Sequence, residues 1–198
     1  MLINQLRAHK ADKVALQEIR WNGSRILQKR DCTLFYICDN KDHILGTRFL
    51  VSKRIKPLIM DFKPITPTIC TLRMRGKCLN YSIVNGHVPT ETSDDEGKDR
   101  FFEALEKAHD ISPKNDTKTV LGKFNGQVAM KTVNFSTTGK YSLHILMNDN
   151  GSWLIQFAVS QDMIIGSTFY PHNDIHNSTR RLPDGVRFNH TDHLLIDR

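Results

Sequence analysis

The residues best suited to chemistry stand at the ends of short apolar runs. Glu18 lies in Ala15-Leu16-Gln17-Glu18-Ile19-Arg20-Trp21, just after the run Val14 to Leu16. A buried strand that delivers one carboxylate at its C-terminal tip can hold a divalent cation. Mg²⁺ takes one or two protein carboxylates and fills its other positions with water and phosphate oxygens. His87 follows Leu79–Val84 in Asn85-Gly86-His87-Val88-Pro89-Thr90. Asn125 follows Thr119–Leu121 in Gly122-Lys123-Phe124-Asn125-Gly126, and Asp192 precedes Leu194–Ile196 in Thr191-Asp192-His193. Polar residues at strand ends, drawn from distant segments, are how α/β enzymes assemble a site. Each also has a plain structural reading. Glu18 can be a surface residue after a core strand, His87 and Asn125 can serve turns, and Asp192 can be a loop residue.

Several strands and helices must position these groups. Strands are expected at Val14–Gln17, Leu34–Cys38, Phe49–Ser52, Leu58–Phe62, Cys70–Met74, Leu79–Asn85, Thr119–Phe124, Met163–Ser167 and Leu194–Ile196. Pro57, Pro64 and Pro67 are expected in the turns between them. A short amphipathic helix is expected over 3–10, with Leu2, Ile3 and Leu6 on one face. The strongest helix runs from Asp94 to Ala108, with acidic residues in its first turn and Phe101, Phe102 and Leu105 as its apolar face. Asn148-Asp149-Asn150-Gly151 opens another, from Ser152 to about Val159. Strands punctuated by a few helices imply a layered α/β protein.

The chain has 198 residues, the size of one domain. Its hydrophobic content of 39% and charged content of 25% are those of an ordinary globular protein. The net charge of +7 favours polyanionic partners, nucleic acid first, although it also serves solubility. Cys32, Cys38, Cys70 and Cys78 form no C-x-x-C pair, so neither a zinc site nor a compact disulfide framework is expected. Met1 to Gln5 is too short and polar for the apolar core of a signal peptide, and no apolar run reaches membrane-spanning length. Sequons such as Asn177-Ser178-Thr179 then carry no glycosylation meaning. The expectation is a nuclear or cytoplasmic protein, not secreted, with no membrane partner and an oligomeric state that the sequence leaves open.

Seven segments in order carry a resemblance: ALQEIRW (15–21), VNGHVPTE (84–91), DDEGKDRFFEALE (94–106), LGKFNG (121–126), SLHILMNDNGSWLIQFA (142–158), STFYPHNDIHNSTRRLPDG (167–185) and NHTDHLLID (189–197). Together they resemble the endonuclease/exonuclease/phosphatase superfamily. More closely, they are similar to the endonuclease domain of RTE/BovB-type non-LTR retrotransposons and the craniofacial development protein 2-like group. The resemblance implies a four-layer α/β sandwich, two packed mixed sheets flanked by helices. It also implies hydrolysis of DNA phosphodiester bonds with Mg²⁺ or Mn²⁺, which would polarise phosphoryl oxygens. By that resemblance Glu18 is the metal ligand and His87 stands where the family has a phosphate-contacting Tyr or His. Asn125 matches the Asn that orients nucleophile or phosphate, and Asp192 the Asp that orients a catalytic His.

The departures from the pattern bear on activity. The family's Gly-Asp-Phe-Asn stands here as Gly122-Lys123-Phe124-Asn125. A carboxylate accepts a proton from an attacking water and an ammonium does not, and loss of a general base typically removes about 10²–10⁴-fold of rate. The family's first strand, ending in a metal-binding Asn, would precede Met1, and its terminal Ser/Thr-Asp-His would lie beyond Arg198. A single domain, 1–198, truncated at both ends, is therefore expected. Thr191-Asp192-His193 imitates the terminal triplet, but its context NHTDHLLID matches the earlier Ile-Asp-His motif instead, which argues against His193 as the catalytic His. Arg48 replaces a family Gly and must reach solvent or a partner; Arg180 replaces a Trp. Three outcomes follow for function: a metal-dependent endonuclease, an impaired descendant that folds and binds nucleic acid, or a fragment without a stable fold. The impaired endonuclease is the preferred reading.

Overall fold

The computed structural model describes residues 8–18, 23–38, 46–91, 93–129, 136–171, 180–181 and 188–198, without the side chains of 180, 181 and 188. Most of the helix expected over 3–10 lies outside the described residues, as do Arg20, Trp21, the 177–179 sequon and the side chain of Arg180. Contacts divide the chain into two compact units, 1–87 with 108–118, and 88–107 with 119–198.

The first unit is built on two antiparallel arrays. β1 (Lys13–Leu16), β2 (Ser24–Gln28), β3 (Cys32–Cys38) and β4 (Gly46–Ser52) form a sheet in the order β1-β4-β3-β2. β5 (Ile59–Thr66), β6 (Ile69–Met74) and β7 (Tyr81–His87) pair in sequence order. β3 is apolar almost throughout because both of its faces are covered. Cys32, Leu34, Tyr36 and Cys38 on one face pack with Leu50, Val14, Leu16 and Leu27. Phe35 on the other meets Phe62 of β5, with ring centroids 5.4 Å apart. Two faces packed in this way bury an apolar layer between sheets, the defining feature of a sandwich.

The second unit holds β8 (Thr117–Lys123) from Thr119 onward, β9 (Met163–Ile165) and β12 (Asp192–Asp197), with β12 pairing antiparallel to both of the others. The two-residue strands β10 (Arg180–Arg181) and β11 (Phe188–Asn189) pair with each other. α1 (Asp95–Asp110) follows Asp94, whose carboxylate accepts from the Gly97 N–H at 3.0 Å. α2 (Asp149–Ser160) is capped by Asn148 and buries Leu154, Ile155, Phe157 and Ala158. Phe102 of α1 lies against Trp153 and Phe157 of α2. The protein is an α/β sandwich of packed sheets with a few helices.

The structure corrects several boundaries. Pro64 is not in a turn but inside β5, paired with Cys70, and the register shifts between Pro64 and Thr66. β5 pairs only with β6, so a residue without an N–H costs no ladder bond on its outer side. β2 was not expected; Ser24-Arg25-Ile26-Leu27-Gln28 lacks strand alternation, is largely exposed, and forms by pairing with β3. The strand expected through Ser167 ends at Ile165, where Gly166–Thr168 turns into a 3₁₀ segment.

Candidate active site

Glu18 emerges two residues beyond β1. Its backbone is left-handed, with φ of 57°. Only Lys10, Asn125 and Asp162 share a positive φ among described residues other than glycine, so two of the four carry candidate site side chains. That conformation costs an L-residue roughly 1–2 kcal/mol, and Asn tolerates it better than Glu. The preceding residue is held firmly. Gln17 Nε2 donates to Asn85 Oδ1 at 2.7 Å, and Asn85 Nδ2 donates to the carbonyls of Leu16 and Arg48 at 3.2 and 3.1 Å. Asn85 is fully buried in β7 and ties that strand to the ends of β1 and β4.

β7 also delivers His87. Its Nε2 stands 3.8 Å from Glu18 Oε1, beyond hydrogen-bond range and within that of an ion pair once the imidazole is protonated. The imidazole is buried while the carboxylate is 55% exposed, so solvent reaches the acid and not the base. The structure therefore brings Glu18 and His87 together within the first unit.

Asn125, Lys123 and Asp192 belong to the second unit. Asn125 follows β8 with φ of 50°, and its amide donates to the carbonyls of Val88 and Pro89 at 3.2 and 3.4 Å. Asp192 begins β12 directly opposite Lys123. Opposed residues of an antiparallel pair point to one face, so a carboxylate and an ammonium share that face. His193, facing Gly122 in the register, is 4% exposed. Its Nδ1 meets Ser167 Oγ at 2.9 Å and its Nε2 meets the Gly126 carbonyl at 2.8 Å. Burial, with His190 and His144 close by, drives its pKa down to about 3. A neutral imidazole with both nitrogens engaged is built for structure.

Sequence reasoning missed a further carboxylate. Glu91 accepts from the backbone N–H groups of Asp149 and Asn150 at 3.0 and 3.4 Å, and from Asn148 Nδ2 at 2.8 Å. It sits on the positive end of α2. Asn148 also donates to the Asn125 carbonyl at 2.9 Å, so one side chain links the helix start to the loop after β8. No local pattern signals Glu91, because its partners lie more than fifty residues away. Asn85 did carry a signal: an amide inside an apolar strand must be hydrogen-bonded.

Among the described residues no group of three or more His, Cys, Asp or Glu side chains is placed to hold a metal ion. Glu18 is a single carboxylate donor, suited to a cation held mainly by water and phosphate oxygens. The donor set does not amount to a preformed metal centre. No helix is long and apolar enough to cross a membrane among the described residues.

No family model matches the chain. Craniofacial development protein 2 of Bos taurus is 24% identical over 184 residues, covering 93% of this chain and 31% of that protein, so the chain spans about a third of its curated relative. The endonuclease domain of TRAS1, a telomere-specific non-LTR retrotransposon, superposes with a TM-score of 0.61 at 14% identity, covering 100% of this chain and 78% of that one. TDP2 of D. rerio, solved in complex with a single-strand DNA product, gives 0.59 at 13% identity, over 99% and 74% of the two chains. The chain has the endonuclease/exonuclease/phosphatase fold, and along nearly its whole length it resembles craniofacial development protein 2.

Proposed function

We propose that this chain is a nucleic-acid-binding protein on a nuclease-type fold, derived from a retrotransposon endonuclease and impaired in phosphodiester hydrolysis. One observation carries the reading. At the end of β8, where the resembling family has Asp, Lys123 stands opposite Asp192. An ammonium there can pair with a carboxylate or a phosphate, but it cannot accept the proton of an attacking water. The net charge of +7 supports phosphate contacts that persist without turnover.

The competing reading, a Mg²⁺- or Mn²⁺-dependent endonuclease, draws on Glu18. Its left-handed backbone is the kind of local cost retained at functional positions, and His87 stands 3.8 Å away. By the resemblance, His87 is in that reading the phosphate-contacting residue, Asn125 orients nucleophile or phosphate, and Asp192 orients a catalytic His. A supercoiled-plasmid nicking assay separates the two, run with Mg²⁺, with Mn²⁺, with chelator and with Glu18→Ala. No nicking, together with DNA binding that weakens as salt rises, is the expected result. Nicking that needs both the metal and Glu18 would overturn it.

A further inference from the structure

The two helices of the second unit enclose a groove of about 450 Å³. Its floor is aromatic. Phe102 stacks on Trp153 with centroids 5.6 Å apart and planes 15° from parallel, and Phe157 lies beside them. One wall belongs to α1 and is acidic: Asp99, Glu103 and Glu106 fall at i, i+4 and i+7, which places them on a single helix face. The other wall belongs to α2 and is uncharged, formed by Gln156, Val159 and Ser160. Val159 is 49% exposed, a sizeable apolar surface at the rim. Glu18, His87, Asn125 and Asp192 do not line this groove.

We infer that the groove is a docking site for an amphipathic helix of a partner protein, one with Lys or Arg along one edge of its apolar face. The apolar face would lie on the half-buried Trp153 and the exposed Val159, since Phe102 and Phe157 are buried, in the helix-in-groove mode of recognition. The basic edge would run beside Asp99, Glu103 and Glu106. Charge complementarity, against the grain of the molecule, favours that occupant. The chain carries +7 overall, yet α1 bears six acidic residues against three Lys and Arg. Of the wall residues, Glu103 faces Lys107 at 3.8 Å, while Asp99 and Glu106 make no ion pair among the described residues. A phosphate backbone would be repelled here. A cation on a helix edge would find a row of carboxylates.

The test uses the full chain with Trp21→Phe, so that Trp153 alone reports fluorescence. The probe is a synthetic amphipathic helix of Leu and Lys, compared with a Leu and Glu helix of the same apolar face. The expected result is saturable binding of the Lys peptide with a shift of Trp153 emission, and much weaker binding of the Glu peptide. Asp99→Lys with Glu106→Lys should lower affinity for the Lys peptide at least about tenfold and raise it for the Glu peptide. Val159→Arg, at the exposed rim, should act in the same direction without touching the core. Equal binding of both peptides, indifference to these variants, or no binding would overturn the inference. So would an emission shift that follows protein concentration alone, which would mark a second copy of the chain as the occupant.

Discussion

At the scale of single residues, Glu18 and Asn85 divide cost and support. Glu18 sits in a left-handed conformation that glycine adopts freely, with its side chain largely in solvent. Glu18→Gly is therefore expected to leave the protein between equally stable and about 1 kcal/mol more stable by urea denaturation. A loss well beyond that would mean the carboxylate serves the fold. Asn85→Ala should do the opposite. It strips a donor from two backbone carbonyls and an acceptor from Gln17. About 2–4 kcal/mol of stability should go with them, since buried groups left unpaired cost about 1–3 kcal/mol each. His193 links stability to pH. Its folded pKa of about 3 lies far below the ordinary value of 6.5, chiefly through burial. Above pH 6.5 both folded and unfolded states are neutral there, and stability is complete. As pH falls from 6.5 toward 3 the unfolded chain takes up a proton that the folded chain refuses. Stability should drop with a slope approaching about 1.4 kcal/mol per pH unit. His144, also held below its usual range by burial, adds to the same trend. Unfolding curves across this range should flatten in His193→Gln; an unchanged slope would sink the assignment. Asp116 acts lower on the scale. Its hydrogen bonds from Arg73, and then from Ser82, hold its pKa below 3.8 against the opposing effect of burial, so its contribution persists above that value and is lost only in stronger acid.

At the scale of elements, the start of α2 gathers the most constraint. Asn148 caps it, Glu91 accepts its first free N–H groups, and Gly151 lies so close to the Gln127 carbonyl that an added Cβ would stand 2.2 Å from that oxygen. Gly151→Ala should destabilise by about 2 kcal/mol or more, because backbone rather than a flexible side chain must yield. Asn148→Ala should cost about 1–2 kcal/mol as a lost cap. Calorimetric melting would rank the two. The cap itself was legible, since Asn followed by Asp and a helical apolar pattern is a local signal. The Glu91 contact was not, because it depends on a pairing more than fifty residues away in sequence. The same division runs through the strands. β3, β4, β6 and β7 are rich in β-branched and apolar residues and were readable. β2 was not, because its conformation is imposed by its neighbour β3. Glu18, His87, Asn125 and Asp192 could be nominated from residue type beside apolar runs. The proximity of Glu18 to His87, and the opposition of Lys123 and Asp192, came only from strand register.

At the scale of the whole molecule, charge and thiols give simple readouts. Cys32, Cys38 and Cys70 are buried thiols outside any disulfide, whereas Cys78 is exposed. Burial pushes the Cys70 thiol up to about 12, so it is protonated and inert at neutral pH. A thiol reagent should label one cysteine quickly in the native protein and all four in denaturant; rapid native labelling of more than one would contradict the packing of the first unit. The border strand β5 has a consequence of another kind. An open sheet margin offers a neighbour a row of unpaired N–H and C=O groups. Pro64 removes one donor from that row, and the register shifts between Ile59 and Asp61 and between Pro64 and Thr66 break its spacing. A second chain seeking to extend the sheet would find no regular template, so the proline that obscured the strand in the sequence acts as a guard against fibrous self-assembly.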